Sequence, residues 1–134
     1  MILGIGIDSV DIKRFSQWHQ FSYQQLTRIF SPHEVNYCLA EPSLRAQRFA
    51  VRFAAREALL KALNHGVLPG VPLLAVCKAV SISHNQYNAP VMHIDRSLLI
   101  SPSRTLYTKT NTITPLISLT HTDTIATAMV LLQR

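Results

Sequence analysis

The sequence has little of what marks several classes of protein. Its two cysteines, Cys38 and Cys77, have no further Cys or His at zinc-ligand spacing, which favours neither a disulfide scaffold nor a zinc module. Charged residues make up only 15% of the chain and hydrophobic residues 48%, which argues against long disordered regions. The longest charge-free stretch near the middle, 62–77, is shorter than the roughly 18 apolar residues that a membrane span requires. We therefore expect a soluble protein with two buried thiols and no membrane partner.

Acidic residues are also scarce. Seven Asp and Glu stand against 13 Lys and Arg, which gives a formal net charge of +6. This excess predicts an anionic partner, which the charge alone leaves open between nucleic acid, a phosphorylated small molecule, an acidic protein and a membrane surface. The chain of 134 residues fits one domain, 1–134, because it has no repeat and no linker-like stretch. The apolar run 1–7 ends at Asp8 and is too short for a signal peptide, so we expect a cytoplasmic protein.

Hydrophobic patterning predicts an α+β fold. A β-like run is expected at 2–8. Helical patterns follow over 10–30, over 31–39 with a capping box at its start, and over 43–63. Strands are expected at 74–82, 91–94, 117–120 and 125–132, whereas 97–114 resists assignment. Helices followed by strands indicate an antiparallel sheet packed against the long central helix and shorter helices.

The long helix over 43–63 separates its residues into distinct faces at 100° per residue. One face carries small residues and suits close packing on a sheet. A second face carries a stripe of arginines, which is either a solvated surface or an anion site. The stripe consists of Arg45, Arg48, Arg52 and Arg56.

Two carboxylates and one lysine are candidates for chemistry. Asp8 sits where the first apolar run ends, where it either binds a metal or substrate or caps a following helix together with Asp11. Glu57 and Lys61 have the spacing of an ordinary surface ion pair. The same three groups would also suit a magnesium-assisted phosphoryl transfer, in which carboxylates hold Mg²⁺ and Lys61 offsets phosphate charge.

Two histidines end similar tetrapeptides. His121 closes the segment Ser-Leu-Thr-His that starts at Ser118, and His84 closes Ser-Ile-Ser-His that starts at Ser81. A single histidine is either structural or part of an anion site, and spacing alone does not separate the two segments. We take His121 as the candidate and treat His84 as a chance match.

Read in order, four segments resemble the 4′-phosphopantetheinyl transferases of the holo-[acyl-carrier-protein] synthase type. Residues 4–12 (GIGIDSVDI) resemble the first signature of that family, and 28–34 (RIFSPHE) resemble its next landmark, a helix start. Residues 52–63 (RFAAREALLKAL) resemble its second and most specific signature, and 118–128 (SLTHTDTIATA) resemble its closing strand pair. The match runs nearly the whole length of the chain, and the resemblance rests on the occurrence of all four segments in the order typical of the family.

The resemblance implies a reaction of fatty acid biosynthesis. The 4′-phosphopantetheine arm of coenzyme A would move to a serine of apo-acyl carrier protein, releasing 3′,5′-ADP, with Mg²⁺ as cofactor. Asp8 and Glu57 would hold the metal, and Lys61 would neutralise charge on the pyrophosphate. The general base stays open between Glu57 and a water on the metal.

The resemblance also implies binding surfaces and an assembly. Arg14 and Arg28 would dock the acidic carrier protein, and family members form trimers with sites between chains. Contacts to the nucleotide phosphates of coenzyme A are expected from Arg45, Arg48, Arg52, Ser118 and His121.

Two alternatives remain open at this point. A basic module that binds anions or nucleic acid without catalysis would explain the net charge, but it gives no reason for the arrangement of Asp8, Glu57 and Lys61. A transferase relative that has lost activity is the other. The turn at 88–90, where the family usually carries Gly-Lys-Pro and this chain has Asn-Ala-Pro, lacks a cation and keeps that alternative open.

Overall fold

The structure, a computed structural model, describes residues 1–100 and 113–134, and within them it has the predicted α+β architecture. The strands are β1 (Ile2–Asp11), β2 (Val80–His84), β3 (Pro90–Ile94), β4 (Thr114–His121) and β5 (Ile125–Gln133). The helices are α1 (Tyr23–Leu26), α2 (Pro32–Ala40), α3 (Arg45–Leu63) and α4 (Leu73–Ala79). Short 3-10 turns span Ile12–Phe15, Trp18–Gln20, Pro42–Leu44 and Arg96–Leu98. Most of the segment 97–114, which resisted assignment, lies outside the described residues.

The strands form two antiparallel sheets, in agreement with the prediction. The larger sheet has the order β1-β5-β4, and the smaller one pairs β2 with β3. The β1–β5 register sets Asp8 opposite Ala128 and Asp11 opposite Ile125. Side chains alternate between faces along a strand, so every second residue of β1 points towards α3.

Helix α3 packs on the larger sheet through its small residues, as the sequence predicts. Ala54, Ala58 and Ala62 are fully buried on this side. Gly4 and Gly6 allow the close approach, because a Cβ at either position would collide with the carbonyl oxygen of Ala62 or Ala58, respectively. The resulting contact sets the distance between the α3 axis and the backbone of β1.

The start of α2 also follows the prediction. The Ser31 hydroxyl accepts a hydrogen bond from the Glu34 amide, and the Glu34 carboxylate accepts one from the Ser31 amide at 2.9 Å. Pro32 occupies the first helical position, where its missing N–H costs nothing.

The predicted helix over 10–30 is wrong. Strand β1 continues to Asp11, and the Ile12 amide then donates to the Thr124 carbonyl at 2.8 Å, which extends the pairing with the β5 hairpin. Two 3-10 turns follow, and the only α-helix in this range is the short α1 (Tyr23–Leu26). The two turns direct Phe15 and Trp18 into an aromatic cluster. The ring centroids of Phe15 and Trp18 are 4.5 Å apart, and Trp18 lies 5.9 Å from Phe53 on α3. This long-range packing overrides the local helical periodicity.

The predicted strand over 74–82 is helical in its first part. Helix α4 follows Pro72, whose carbonyl accepts hydrogen bonds from Ala75 and Val76, and β2 begins only at Val80. A short apolar run fits a buried helix and a buried strand equally well, which explains the error. No helix among residues 1–100 and 113–134 has the length and hydropathy needed to cross a membrane.

Candidate active site

Asp8 lies inside β1, on the side of the strand that faces α3, and it pairs with Lys61. The Lys61 ammonium donates to Asp8 Oδ1 at 2.9 Å and to the Ile7 carbonyl at 2.8 Å. The Asp8 side chain is 15% exposed and that of Lys61 is 52% exposed, so the pair sits at the edge of the sheet–helix interface. The capping interpretation of Asp8 is wrong, because the strand runs on to Asp11, and Asp11 makes no side-chain cap.

Glu57 is the second carboxylate of this region. It is half-buried one helical turn before Lys61, and the surface ion pair that the spacing suggests does not form, because Lys61 pairs with Asp8. Within the part of the chain that the structure describes, the Glu57 carboxylate has no hydrogen bond and no ion pair. A half-buried carboxylate without a partner next to a lysine–aspartate pair is an available oxygen ligand.

The donor set suits a hard divalent cation such as Mg²⁺. Among the described residues there is no group of three or more His, Cys, Asp or Glu side chains that could cage an ion. Mg²⁺ commonly takes one or two protein carboxylates and completes its shell with water and substrate phosphates. Asp8 and Glu57 match that requirement, whereas a structural zinc site would need four protein ligands.

A second group of predicted residues lines a cleft of about 340 Å³ between α2, α3, the β2–β3 hairpin and the end of β4. We call this the basic cleft. The ring of Tyr37 forms part of its lining, with the guanidinium of Arg48 at 4.1 Å and that of Arg52 at 4.5 Å from the ring centroid. The cleft is lined by Tyr37, Leu44, Gln47, Arg48, Val51, Arg52, His84, Asn88, Pro90, Leu119, Thr120 and His121.

The arginine stripe is divided by the fold. Arg56 is fully buried and forms a two-pronged ion pair with Glu34, at 3.0 Å and 2.7 Å. Arg45 donates from Nε to the Leu39 carbonyl at 3.0 Å and does not line the basic cleft. The interpretation of the stripe as one solvated face is therefore wrong, and only Arg48 and Arg52 reach the cleft.

The remaining predicted residues lie apart from these two groups. Ser118 is exposed opposite Met129 on the outer face of the larger sheet, and it does not line the basic cleft. The exposed Arg14 guanidinium lies 5.2 Å from the Phe53 ring centroid. Arg28 is exposed beside a separate apolar depression that includes Phe21.

Sequence reasoning set aside one residue of the basic cleft. His84, treated as a chance match, lines it together with His121. The available signal was the repetition itself, since both Ser-x-x-His segments end strands. The β2–β3 hairpin folds beside the end of β4, and that proximity is not visible in spacing along the chain.

The cysteines are buried thiols, as predicted. Burial raises the pKa of Cys38 to about 12, and burial also raises the pKa of Cys77. Both thiols therefore stay protonated near neutral pH and are poor nucleophiles.

Comparison with known proteins covers the whole chain. A holo-[acyl-carrier-protein] synthase of Geotalea daltonii is 35% identical over 135 residues and spans 100% of both chains. A holo-[acyl-carrier-protein] synthase of Helicobacter pylori, solved in complex with coenzyme A, has a TM-score of 0.66 at 26% identity and covers 96% of this chain and 99% of that one. A Bacillus anthracis synthase solved with CoA (3′,5′-ADP) shares the fold with a TM-score of 0.73 at 23% identity, covering 98% of this chain and 96% of that one.

The family resemblance read from the four segments is thereby confirmed. A sequence model described as the 4′-phosphopantetheinyl transferase superfamily matches residues 4–110, which include α3, the β2–β3 hairpin and all but the first two residues of β1. On the strength of this match and of the full-length relatives, the chain belongs to the 4′-phosphopantetheinyl transferase superfamily.

Proposed function

We propose that this chain transfers the 4′-phosphopantetheine group of coenzyme A to a serine of apo-acyl carrier protein. The serine oxygen forms a bond to the phosphorus that carries the pantetheine arm. The bond from that phosphorus to the oxygen of 3′,5′-ADP breaks, and the serine hydroxyl loses its proton. The full-length relatives named as holo-[acyl-carrier-protein] synthases support this reaction.

The observation that carries the proposal is the contact between Lys61 and Asp8 next to the unpartnered Glu57. A reaction at a pyrophosphate needs positive charge near the leaving oxygen and an acceptor for the nucleophile's proton. Lys61 supplies the first from an exposed position that substrate can reach. Glu57 has a free carboxylate that can accept the proton, a role that stays open between Glu57 and a water.

Asp8 and Glu57 are the residues that would hold Mg²⁺ in this proposal. A bound magnesium ion would neutralise pyrophosphate charge and orient the phosphates for attack. Asp8 also holds the Lys61 ammonium in place. When the substrate binds, a phosphate would replace the Asp8 carboxylate as the anionic partner of Lys61.

The basic cleft is the proposed site for the nucleotide phosphates of coenzyme A. Arg52 is 97% buried, its Nε has no hydrogen-bond partner within residues 1–100 and 113–134, and Arg48 stacks with it on Tyr37. A buried guanidinium with a free N–H is a strong donor to a phosphate oxygen. His121 lines the same cleft, whereas Arg45 and Ser118 have weaker support because they lie outside it.

The relative placement of these sites favours an assembly with shared sites, which we propose is a homotrimer. Lys61 follows Arg52 by nine residues, which turns it about 180° around α3, so the two groups lie on opposite sides of the helix. One coenzyme molecule would then contact the basic cleft of one chain and the Asp8–Lys61 pair of a second. Light scattering should give three times the 15.0 kDa of one chain, and a monomer would reject this arrangement.

The outer face of the larger sheet is a suitable interface for that assembly. Ile5, Ile7, Leu116 and Met129 are adjacent there and between 40% and 58% exposed. Sequence reasoning considered the small-residue face of α3 for trimer contacts. This face is buried against β1, so it is not available for contacts between chains.

Replacement of Arg14 by Glu should weaken binding of the carrier protein by about tenfold at low salt, because an attractive charge becomes a repulsive one. Binding of coenzyme A should change far less. Surface plasmon resonance with an apo-carrier at two salt concentrations measures the first quantity, and the wild-type affinity should fall as salt rises.

The matched control is Lys78→Glu, which makes the same charge change on α4, at an exposed position away from Arg14. Equal losses for both variants would indicate net charge alone. Equal losses of carrier and coenzyme binding in Arg14→Glu would reject the docking role.

The experiment that tests the reaction is the intact mass of apo-acyl carrier protein after incubation with this protein, coenzyme A and Mg²⁺. A gain of one phosphopantetheine that disappears with EDTA supports the proposal. Binding of coenzyme A without transfer to any of several carriers would identify an inactive relative. Absence of both, with a steep salt-dependent shift of a polyanion, would identify a basic binding module.

A further inference from the structure

The ring of Tyr37 organises the charged groups of the basic cleft. Arg48 and Arg52 lie over the ring, and the His84 ring centroid is 5.4 Å from that of Tyr37. Arg48 is further fixed by donating to the Tyr37 carbonyl at 2.8 Å. The imidazole of His84 is therefore held beside two guanidinium groups by packing against one shared aromatic ring.

The cleft carries positive charge without a local counter-charge. Among the described residues that line it, none is Asp or Glu. The Glu34 carboxylate lies 4.0 Å from Arg52 Nε but gives its short contacts to Arg56. The Nε of Arg52 is buried and has no hydrogen-bond partner among the described residues, so the positive charge of this guanidinium is only partly compensated within the chain.

The surroundings of His84 set its charge in the free protein. The pKa of His84 lies below its ordinary value of 6.5, because partial burial and the positive charges nearby disfavour the imidazolium. The titratable and charged groups around it are His33 and Tyr37 on α2, Arg48 and Arg52 on α3, and His121 at the end of β4. All the charges in this set are positive, so His84 is mostly neutral near pH 7 until an anion enters.

We propose that His84 is a proton-linked ligand for the phosphate monoester of coenzyme A, an inference that rests on the proposed function. When the dianion binds, the neutral imidazole takes up one proton from solvent and donates a hydrogen bond to a phosphate oxygen. The phosphate stays largely dianionic above its second pKa of about 6, so it attracts this proton at neutral pH. This proton transfer from solvent to the imidazole is the only change in covalent bonding when the phosphate binds.

The direction of the pH effect follows from linkage. Binding raises the pKa of His84 relative to the free protein, so the contribution of His84 to affinity is present at low pH and is lost as pH rises through the pKa of the complex. The wild-type affinity for coenzyme A should fall about fivefold to tenfold between about pH 6.5 and pH 8. The effect is modest because the ring is exposed.

The test is calorimetric titration of the wild type and of two variants with coenzyme A, in buffers of different ionisation heat and without carrier protein. The wild type should take up protons on binding. His84→Gln should lose about fivefold in affinity at pH 6.5 and less than about twofold at pH 8. His84→Lys keeps a permanent cation and should bind at least as tightly as the wild type, with reduced proton uptake.

His93→Gln is the matched control, because His93 lies opposite Ser81 on the neighbouring strand, bonds to Ser83 and does not line the basic cleft. Dephospho-coenzyme A, which lacks the monoester, should bind without the uptake that depends on His84. A loss in His84→Gln that is equal at both pH values, or no loss at all, would overturn the inference while leaving the proposed transfer intact. Failure of the wild type to bind coenzyme A at any pH would overturn the proposed function itself.

Discussion

Glu57→Gln should reduce phosphopantetheine transfer by on the order of a thousandfold, because the proposed reaction loses a carboxylate that would hold Mg²⁺ and with it about 4 kcal/mol of transition-state stabilisation. The amide of Gln has nearly the same shape but no negative charge. The Glu57 carboxylate makes no hydrogen bond or ion pair with the rest of the described chain, so the exchange should leave the free energy of unfolding almost unchanged. Initial rates from intact-mass time courses measure the first effect, and urea denaturation measures the second.

Glu41→Gln is the control for this exchange, since Glu41 is an exposed glutamate near the start of α3 whose carboxylate accepts a long hydrogen bond from the Ser43 hydroxyl, at 3.4 Å. It should keep full activity. Coenzyme A should still bind to Glu57→Gln through the basic cleft, with a smaller loss in affinity than in rate. An active Glu57→Gln variant would remove Glu57 from the metal role and leave Asp8 as the only carboxylate of the proposed site.

Local sequence signals predicted those parts of the fold that local interactions decide. The capping box of Ser31 and Glu34 marked the start of α2, and the alanine-rich face of α3 marked a helix that packs on a sheet. The segment after β1 could not be predicted in this way. Its shape depends on where Phe15 and Trp18 meet the ring of Phe53, which is distant in sequence, and helical periodicity carries no information about that contact.

In the candidate site, too, local motifs identified the residues, whereas the contacts between them depend on the tertiary fold. Asp8, Glu57 and Lys61 were identified from their motifs, but the pairing of Lys61 with Asp8 rather than with Glu57 depends on how β1 crosses α3. The arginine stripe gave no indication that Arg56 would be buried. That outcome depends on Glu34, which lies 22 residues earlier and reaches Arg56 only because α2 covers this side of α3.

Arg56→Met should lower the free energy of unfolding by about 3–5 kcal/mol, which is much of the stability of an ordinary domain. Glu34 and Arg56 are both fully buried, and the Arg56 Nη2 atom also donates to the Val80 carbonyl at 2.9 Å. Methionine fills a similar volume but leaves the Glu34 carboxylate in the core with the Ser31 amide and hydroxyl as its hydrogen-bond donors and with Arg52 Nε at 4.0 Å. The predicted loss therefore reflects a buried charge that has lost its main partner more than a missing packing contact.

A double-mutant cycle separates these two contributions. Adding Glu34→Gln to Arg56→Met removes the orphaned charge, so the double variant should recover part of the loss, and its urea midpoint should exceed that of Arg56→Met. Arg56→Lys, which keeps the charge but cannot form both prongs, should fall between the wild type and Arg56→Met. A stability of Arg56→Met within about 1 kcal/mol of the wild type would show that the pair is dispensable. Because the pair joins α2, α3 and β2, its loss should also loosen the basic cleft, whose walls include these three elements.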